Sequence, residues 1–174
     1  MTTIVAVKHD GHTAIAGDGQ VTMSEKFIMK GTAHKVRRIF DDQVVIGFAG
    51  GVADAITLQD WLEKKLKEYS GNLQRAAVEL AQDWRKDPSL QKLEAMLLAM
   101  NKETLLLISG SGEVIEPDED VVAIGSGGNF AQAAAIGLQR HAKDMDAEEI
   151  AVESIKIASE IDIFTNNNII SDKF

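Results

Sequence analysis

The order in which two hydrophobic periods alternate along the chain constrains the fold more than any other feature. Up to about residue 50, apolar residues come in short runs broken by turn residues, as in strands. From Val52 to Trp84 they recur at steps of three and four, as in helices. Short runs then return, two further helical patterns follow, and a short run closes the chain. This order lacks the strict βαβ alternation of a parallel, doubly wound sheet. It predicts an α+β fold in which antiparallel sheets are covered by pairs of helices. A length of 174 residues suits a single domain spanning 1–174.

In detail, residues 4–8 and 13–16 flank Asp10-Gly11, a dipeptide fitted to a tight hairpin turn, and 35–40 and 44–48 pair through Asp41-Asp42. Four strands are thus expected before any helix. Val52, Ala55, Leu58, Leu62, Leu66 and Tyr69 mark one helical stripe, ended by Ser70-Gly71-Asn72. Leu73, Ala76, Ala77, Leu80, Ala81 and Trp84 mark a second, stopped at Asp87-Pro88. Residues 93–100 read as a strand despite their strong helix formers, followed by strands at 104–109 and 121–124. An Ala-rich helix at 130–141 comes next. Asp146 then caps a last helix with Glu149 three residues on, and Ile150, Ser154, Ile157, Ala158 and Ile161 are its expected inner face. A strand near 168–171 ends the chain.

Charge and composition narrow the function. The 18 Lys+Arg against 27 Asp+Glu leave a formal charge of −9, which repels nucleic acid and anionic membrane surfaces, so neither is an expected partner. With no cysteine, disulfide scaffolding, thiolate catalysis and cysteine-ligated zinc are excluded. No basic segment precedes an apolar stretch at the N-terminus, and no run approaches the ~20 apolar residues of a membrane span. The expected location is the cytoplasm.

Familiar catalytic motifs are missing. Gly125-Ser126-Gly127-Gly128 between strand and helix invites a phosphate reading, but Phe130 stands where the dinucleotide fingerprint needs glycine. There is no phosphate-binding G-x-x-x-x-G-K-[ST], no H-E-x-x-H and no G-x-S-x-G. The runs 35–38 and 116–120 read first as solvated charge. Thr2 stands apart because Met1 is of the kind that aminopeptidases remove before a small residue. The exposed α-amino group, with a pKa of about 7.7–8.0, would then accept the proton of the same residue's hydroxyl. Many chains begin Met-Thr, so this position alone decides nothing.

Taken together, a set of segments decides more: Thr2-Thr3-Ile4-Val5, Gly17-Asp18-Gly19-Gln20-Val21-Thr22, Met29-Lys30-Gly31, Lys35-Val36-Arg37-Arg38, Gly47-Phe48-Ala49-Gly50-Gly51-Val52-Ala53-Asp54-Ala55, Ala76-Ala77-Val78-Glu79-Leu80-Ala81, Lys92-Leu93-Glu94-Ala95 and Ile124-Gly125-Ser126-Gly127-Gly128. From Thr2 to Ile170 the chain resembles the proteasome β-subunit-like family, in particular the peptidase subunits of bacterial two-component ATP-dependent proteases. The resemblance implies the N-terminal nucleophile fold, a four-layer sandwich of two antiparallel β-sheets flanked by helix pairs.

It also implies a threonine peptidase that forms an acyl-enzyme on Thr2. Lys35 would favour the alkoxide, Asp18 would hold Lys35, and the Gly50 N–H would serve the oxyanion. Ser126 and Gly127 would line the same site, with the Ser126 hydroxyl on the Thr2 amine. The carbonyls of Ser159, Asp162 and Thr165 match a sodium-binding loop, although the family commonly has Gly and Cys where Ser159 and Asp162 stand. Asp162-x-x-Thr165 equally resembles a proteasome Asp-x-x-Ser whose side chains steady the threonine. Residues 23–28 lack a glycine common in relatives and are slightly longer than in some.

The implied assembly is a homododecamer of two stacked hexameric rings, served by an AAA+ ATPase hexamer, HslU (ClpY), that delivers unfolded protein substrates and activates the peptidase allosterically. A catalytically inactive ring-forming scaffold and an amidohydrolase acting on a small amide are the competing readings.

Overall fold

A computed structural model describes residues 1–89 and 95–174. The strands β1 (Thr3–His9) and β2 (His12–Gly17) form the expected hairpin, with Asp10 and Gly11 both at positive φ. A short ribbon of β3 (Val21–Met23) and β4 (Phe27–Lys30) follows, then β5 (Val36–Ile39), β6 (Val44–Ala49) and the helices α1 (Val52–Glu68) and α2 (Leu73–Lys86). The second half holds β7 (Met96–Met100), β8 (Leu105–Ser109), β9 (Val114–Ile115), β10 (Val121–Gly125), α3 (Gly128–His141), α4 (Ala147–Ser159) and β11 (Ile170–Lys173). The start of the strand expected at 93–100 falls partly outside the described residues.

Two antiparallel sheets result, ordered β10-β1-β2-β11 and β5-β6-β7-β8-β9. Alternating side chains build the layers. On β1, Ile4 and Ala6 join β2's Ile15 and β6's Val45 between the sheets, while Val5 and Val7 pack on the other face against Ala131, Ala135, Ile150 and Ala151 of α3 and α4. On the second sheet, Leu98 and Met100 point to the inter-sheet core, and Leu97 and Ala99 pack with Leu58, Leu62, Leu80 and Trp84 of α1 and α2. The predicted helix–sheet–sheet–helix sandwich is present. Because β1 is buried on both faces, it reads as an unbroken apolar run.

Three expectations need correction. Six strands, not four, precede the first helix. The β3–β4 ribbon escaped notice because Met23, Phe27, Ile28 and Met29 are all more than half exposed, and a ribbon with no buried face leaves no alternation to read. On α1, Val52 is 70% exposed, and the buried stripe is Leu58, Leu62 and Leu66. On α4, the buried face is Ala147, Ile150, Ala151, Ser154, Ile155 and Ala158; Ile157 is only half-buried and Ile161 is exposed. The α4 cap is as expected: Asp146 accepts the Glu149 N–H and Glu149 returns a bond to the Asp146 N–H, each at 2.8 Å.

Candidate active site

Thr2 lies one residue outside β1, at the end of the sheet where Thr3 pairs with Gly125 of β10. Its carbonyl accepts the Ser126 N–H at 2.8 Å, which extends the strand pairing across Thr2 itself. Such an approach demands glycine at 125. The residue has φ +94°, and a Cβ there would come within 1.7 Å of the Thr2 carbonyl oxygen. β10 thus forms a floor under the threonine.

On one side of Thr2 is an ion pair. Lys35 Nζ lies 2.7 Å from Asp18 Oδ1, with the two side chains 8% and 0% exposed. The ammonium has three donors. It gives one to Asp18, one to the Gln20 carbonyl at 2.6 Å, and the third, at 3.4 Å, to the carbonyl of Met1, the residue joined to Thr2. Burial pushes Lys35 below the ordinary lysine range, against the opposite pull of Asp18 and Asp162. Asp18 is held in turn by the N–H groups of Thr3 (2.9 Å), Gln20 (2.9 Å) and Asn166 (3.3 Å). The first of these donors is the peptide N–H adjoining Thr2, so the carboxylate locates both the lysine and the strand that carries the threonine.

Behind Thr2 runs a line of hydroxyls with a defined direction. The Gly127 N–H donates to Thr3 Oγ1 at 2.9 Å, Thr3 and Thr165 share a hydroxyl contact of 2.7 Å, and the Thr165 hydroxyl donates to Asp162 Oδ2 at 2.5 Å. Since Thr165 spends its proton on Asp162, Thr3 must donate to Thr165. The Ser126 hydroxyl meets the same Asp162 oxygen at 2.8 Å and the Thr2 carbonyl at 3.4 Å.

Two clefts meet at Thr2. A cleft of about 930 Å³ runs past Met96, Ser109, Ser111, Ser126 and Asn129. A second, of about 440 Å³, is lined by Val21, Lys35, Ile46, Phe48 and Val52 among others. Gly50 borders both. Its φ of +148° is unfavourable for a side chain, a Cβ there would press to 2.9 Å against the Phe48 ring, and its N–H makes no hydrogen bond within the described residues. A donor with no internal partner beside a cleft is free for an incoming carbonyl.

Thr2, Lys35, Asp18, Gly50 and Ser126 are therefore brought together. The Ser126 hydroxyl serves Asp162 and the Thr2 carbonyl; the contact expected of it is with an amine that Thr2 gains only on loss of Met1. One expectation differs in detail. Gly127 is buried and lines neither cleft; a Cβ on it would strike Thr3 Oγ1 at 2.5 Å and Thr165 Oγ1 at 2.7 Å, so it roofs the hydroxyl line. The side chains of Asp162 and Thr165 belong to that line. Among the described residues no cluster of three or more His, Cys, Asp or Glu could hold a metal ion.

Sequence reasoning missed Thr3, Gly125, Gln20 and Asn166 as parts of the site. Thr3 carried a signal, a polar residue opening an apolar run. Asn166 carried none, since its partners are fixed only by long-range folding.

Comparisons with known proteins agree with this geometry. The family model described as "Proteasome subunit" matches residues 1–171. The chain is 72% identical over its full 174 residues to an ATP-dependent protease subunit HslV from Lacticaseibacillus casei, covering all of both. It is 70% identical over 171 residues to the subunit of the same name from Lactiplantibacillus plantarum, covering 98% of this chain and 95% of that one. Among solved structures, HslV from Trypanosoma brucei superposes with a TM-score of 0.93 at 47% identity, covering 99% and 98% of the two chains. Thiobacillus denitrificans BPH, at 19% identity and a TM-score of 0.76 over 99% and 97%, shares the fold. No described helix is long and apolar enough to cross a membrane. With a threonine at the head of β1, a buried lysine–aspartate pair beside it and this likeness along the whole chain, the protein belongs to the proteasome-subunit family, as an N-terminal threonine peptidase subunit.

Proposed function

We propose that the chain is the peptidase of a two-component ATP-dependent protease, cleaving unfolded protein through an acyl-enzyme on Thr2. The observation that carries the mechanism is the third donor of Lys35, which reaches the Met1 carbonyl while its other two are bound to Asp18 and Gln20. Loss of Met1 frees that donor and turns the Thr2 nitrogen from an amide into an amine able to accept a proton. The amine takes the proton of the Thr2 hydroxyl, and the Lys35 ammonium stabilises the oxygen as it becomes nucleophilic. The oxygen adds to the substrate carbonyl, whose developing charge meets the Gly50 N–H. Collapse breaks the C–N bond, with the proton passing from the Thr2 ammonium to the leaving amine. Water, deprotonated by the same amine, then hydrolyses the ester and restores Thr2.

The name ATP-dependent protease subunit carried by the relatives supports an ATPase partner; the assembly proposed with it is two stacked hexameric rings with an AAA+ ATPase hexamer of the HslU type, which would deliver unfolded chains and activate the peptidase allosterically. A cytoplasmic setting suits such a machine. For the loop matched to sodium binding, the carbonyls of Ser159 and Thr165 accept no hydrogen bond within the described residues, and that of Asp162 accepts only the Thr165 N–H, at 3.1 Å. These hard, neutral oxygens fit a monovalent cation. Bound there, sodium would contribute a fixed positive charge to the loop and take no part in bond making.

The test is hydrolysis of a fluorogenic peptide by the assembled enzyme, with Met1 removal verified by intact-mass spectrometry and with the ATPase present or absent. Turnover by the trimmed form, and none by a form retaining Met1, is the expected result. A trimmed, assembled protein inert with and without the ATPase would indicate the scaffold.

A further inference from the structure

Lys35 and Asp18 sit on separate segments, and neither segment is a regular element at the point of contact: residues 18–20 lie between β2 and β3, and 31–35 lie between β4 and β5. One bond joins them directly through the backbone, from the Ala33 N–H to the Gly19 carbonyl at 2.8 Å. Beyond that bond and those of Lys35 itself, the connection passes through a third segment from the far end of the chain. Asn166 Oδ1 accepts the Gly19 N–H at 3.0 Å, Asn166 Nδ2 donates to the Gly31 carbonyl at 2.8 Å, and the Asn166 N–H reaches Asp18 Oδ2 at 3.3 Å. Beside it, Gln20 Nε2 donates to the Ile163 carbonyl at 3.1 Å, while the carbonyl of the same Gln20 receives Lys35.

We infer that Asn166 is a positioning residue for the reaction: its carboxamide clamps the Asp18 loop to the Lys35 segment and so sets where the lysine's free donor points. The inference rests on the mechanism proposed above. The chemistry selects asparagine. Toward Asn166, Gly19 presents its N–H, its carbonyl being taken by Ala33, and Gly31 presents its carbonyl, which also receives Asn168 Nδ2 at 2.8 Å, so a single side chain that joins Gly19 to Gly31 needs an acceptor at one end and a donor at the other. Alanine does neither, and aspartate accepts from Gly19 but turns a second oxygen toward the Gly31 carbonyl. Space is tight around this clamp: a Cβ on Gly19 would lie 2.6 Å from the Gly31 carbonyl oxygen.

The experiment compares wild type, Asn166→Ala, Asn166→Asp and Lys35→Ala as trimmed, assembled enzymes, reading kcat, KM and the pH profile of kcat/KM on a fluorogenic peptide. Asn166→Ala is expected to lower kcat about 10–100-fold, the scale of a misplaced catalytic group, with KM nearly unchanged. Its alkaline limb moves to lower pH, because a loosened Asp18 no longer offsets the burial of the ammonium. Asn166→Asp also loses rate, but moves the limb to higher pH, because a negative charge beside the pair favours the ammonium. A purely structural role would lower the melting temperature without separating the limbs. Wild-type kcat in Asn166→Ala, or an alkaline limb that does not move in it, would overturn the inference; if Asn166→Ala fails to assemble, Asn166→Ser, too short to span Gly19 and Gly31, takes its place, and wild-type kcat with an unmoved limb there overturns the inference. Full activity in Lys35→Ala would instead overturn the mechanism on which the inference rests.

Discussion

The two sides of Thr2 are built from opposite materials. On the Lys35–Asp18 side the central bond is a charged pair from the first 35 positions, and the ammonium also reaches the carbonyl of Met1, the residue joined to Thr2. On the Ser126–Asp162–Thr165–Thr3 side the donors are neutral hydroxyls and an N–H converging on one carboxylate, most of them contributed from beyond residue 125. In the mechanism proposed above, the first side governs where protons go. The second holds the backbone of residues 2 and 3 still. Charge acts over several ångströms and is costly to bury, so one pair suffices; hydroxyl bonds are short and individually weak, so several are linked in series.

The largest test is Thr2→Ala, which touches both sides at their meeting point. Cleavage should fall by about 10⁴-fold or more while sedimentation shows the assembly intact; retained activity would remove Thr2 from the chemistry. Next comes Lys35→Ala, for which kcat should drop about 10³-fold, a steeper loss than any single change in the hydroxyl line. Thr165→Val, isosteric but unable to bridge Thr3 and Asp162, should lower stability by about 1–3 kcal/mol in thermal or denaturant unfolding, with a rate loss of only about tenfold. A rate loss as severe as that of Lys35→Ala would erase the distinction between the two sides.

A pH titration sharpens it further. Because burial lowers the Lys35 pKa in the folded chain, there is a window between that value and the ordinary lysine value in which the folded state has released a proton that the unfolded state still holds. Across that window Lys35's contribution to stability rises with pH. Under the proposed mechanism activity requires the ammonium and should fall over the same window, so loss of rate without loss of melting temperature is the expected outcome. The smallest effect belongs to a site remote from both sides. Asp146→Ala removes the α4 capping box and should cost about 1 kcal/mol in unfolding free energy, leaving kcat unchanged.

What the sequence could disclose follows from the range of the forces involved. The hairpin at Asp10-Gly11, the α1–α2 pair and the α4 cap are local, and each leaves its pattern within a few residues. The layered sandwich was legible because strands buried on both faces and striped helices admit few ways of being covered. Thr2, Lys35, Asp18, Gly50 and Ser126 were reached through resemblance, since nothing in their spacing shows that positions 2, 18, 35, 50 and 126 meet. Asp162 and Thr165 of the hydroxyl line were likewise reached through resemblance, whereas Thr3 and the Asn166 clamp were missed because their partners are up to 162 residues away in sequence. The β3–β4 ribbon was missed for the opposite one, since it buries nothing that would leave a period.

β1 pairs with β10, and its head is steadied by the Thr165 and Asp162 side chains and, through Asp18, by the Asn166 N–H. A fragment lacking residues 125–174 would keep Thr2 but lose the groups that hold its backbone, and under the proposed mechanism such a fragment is expected to be inert.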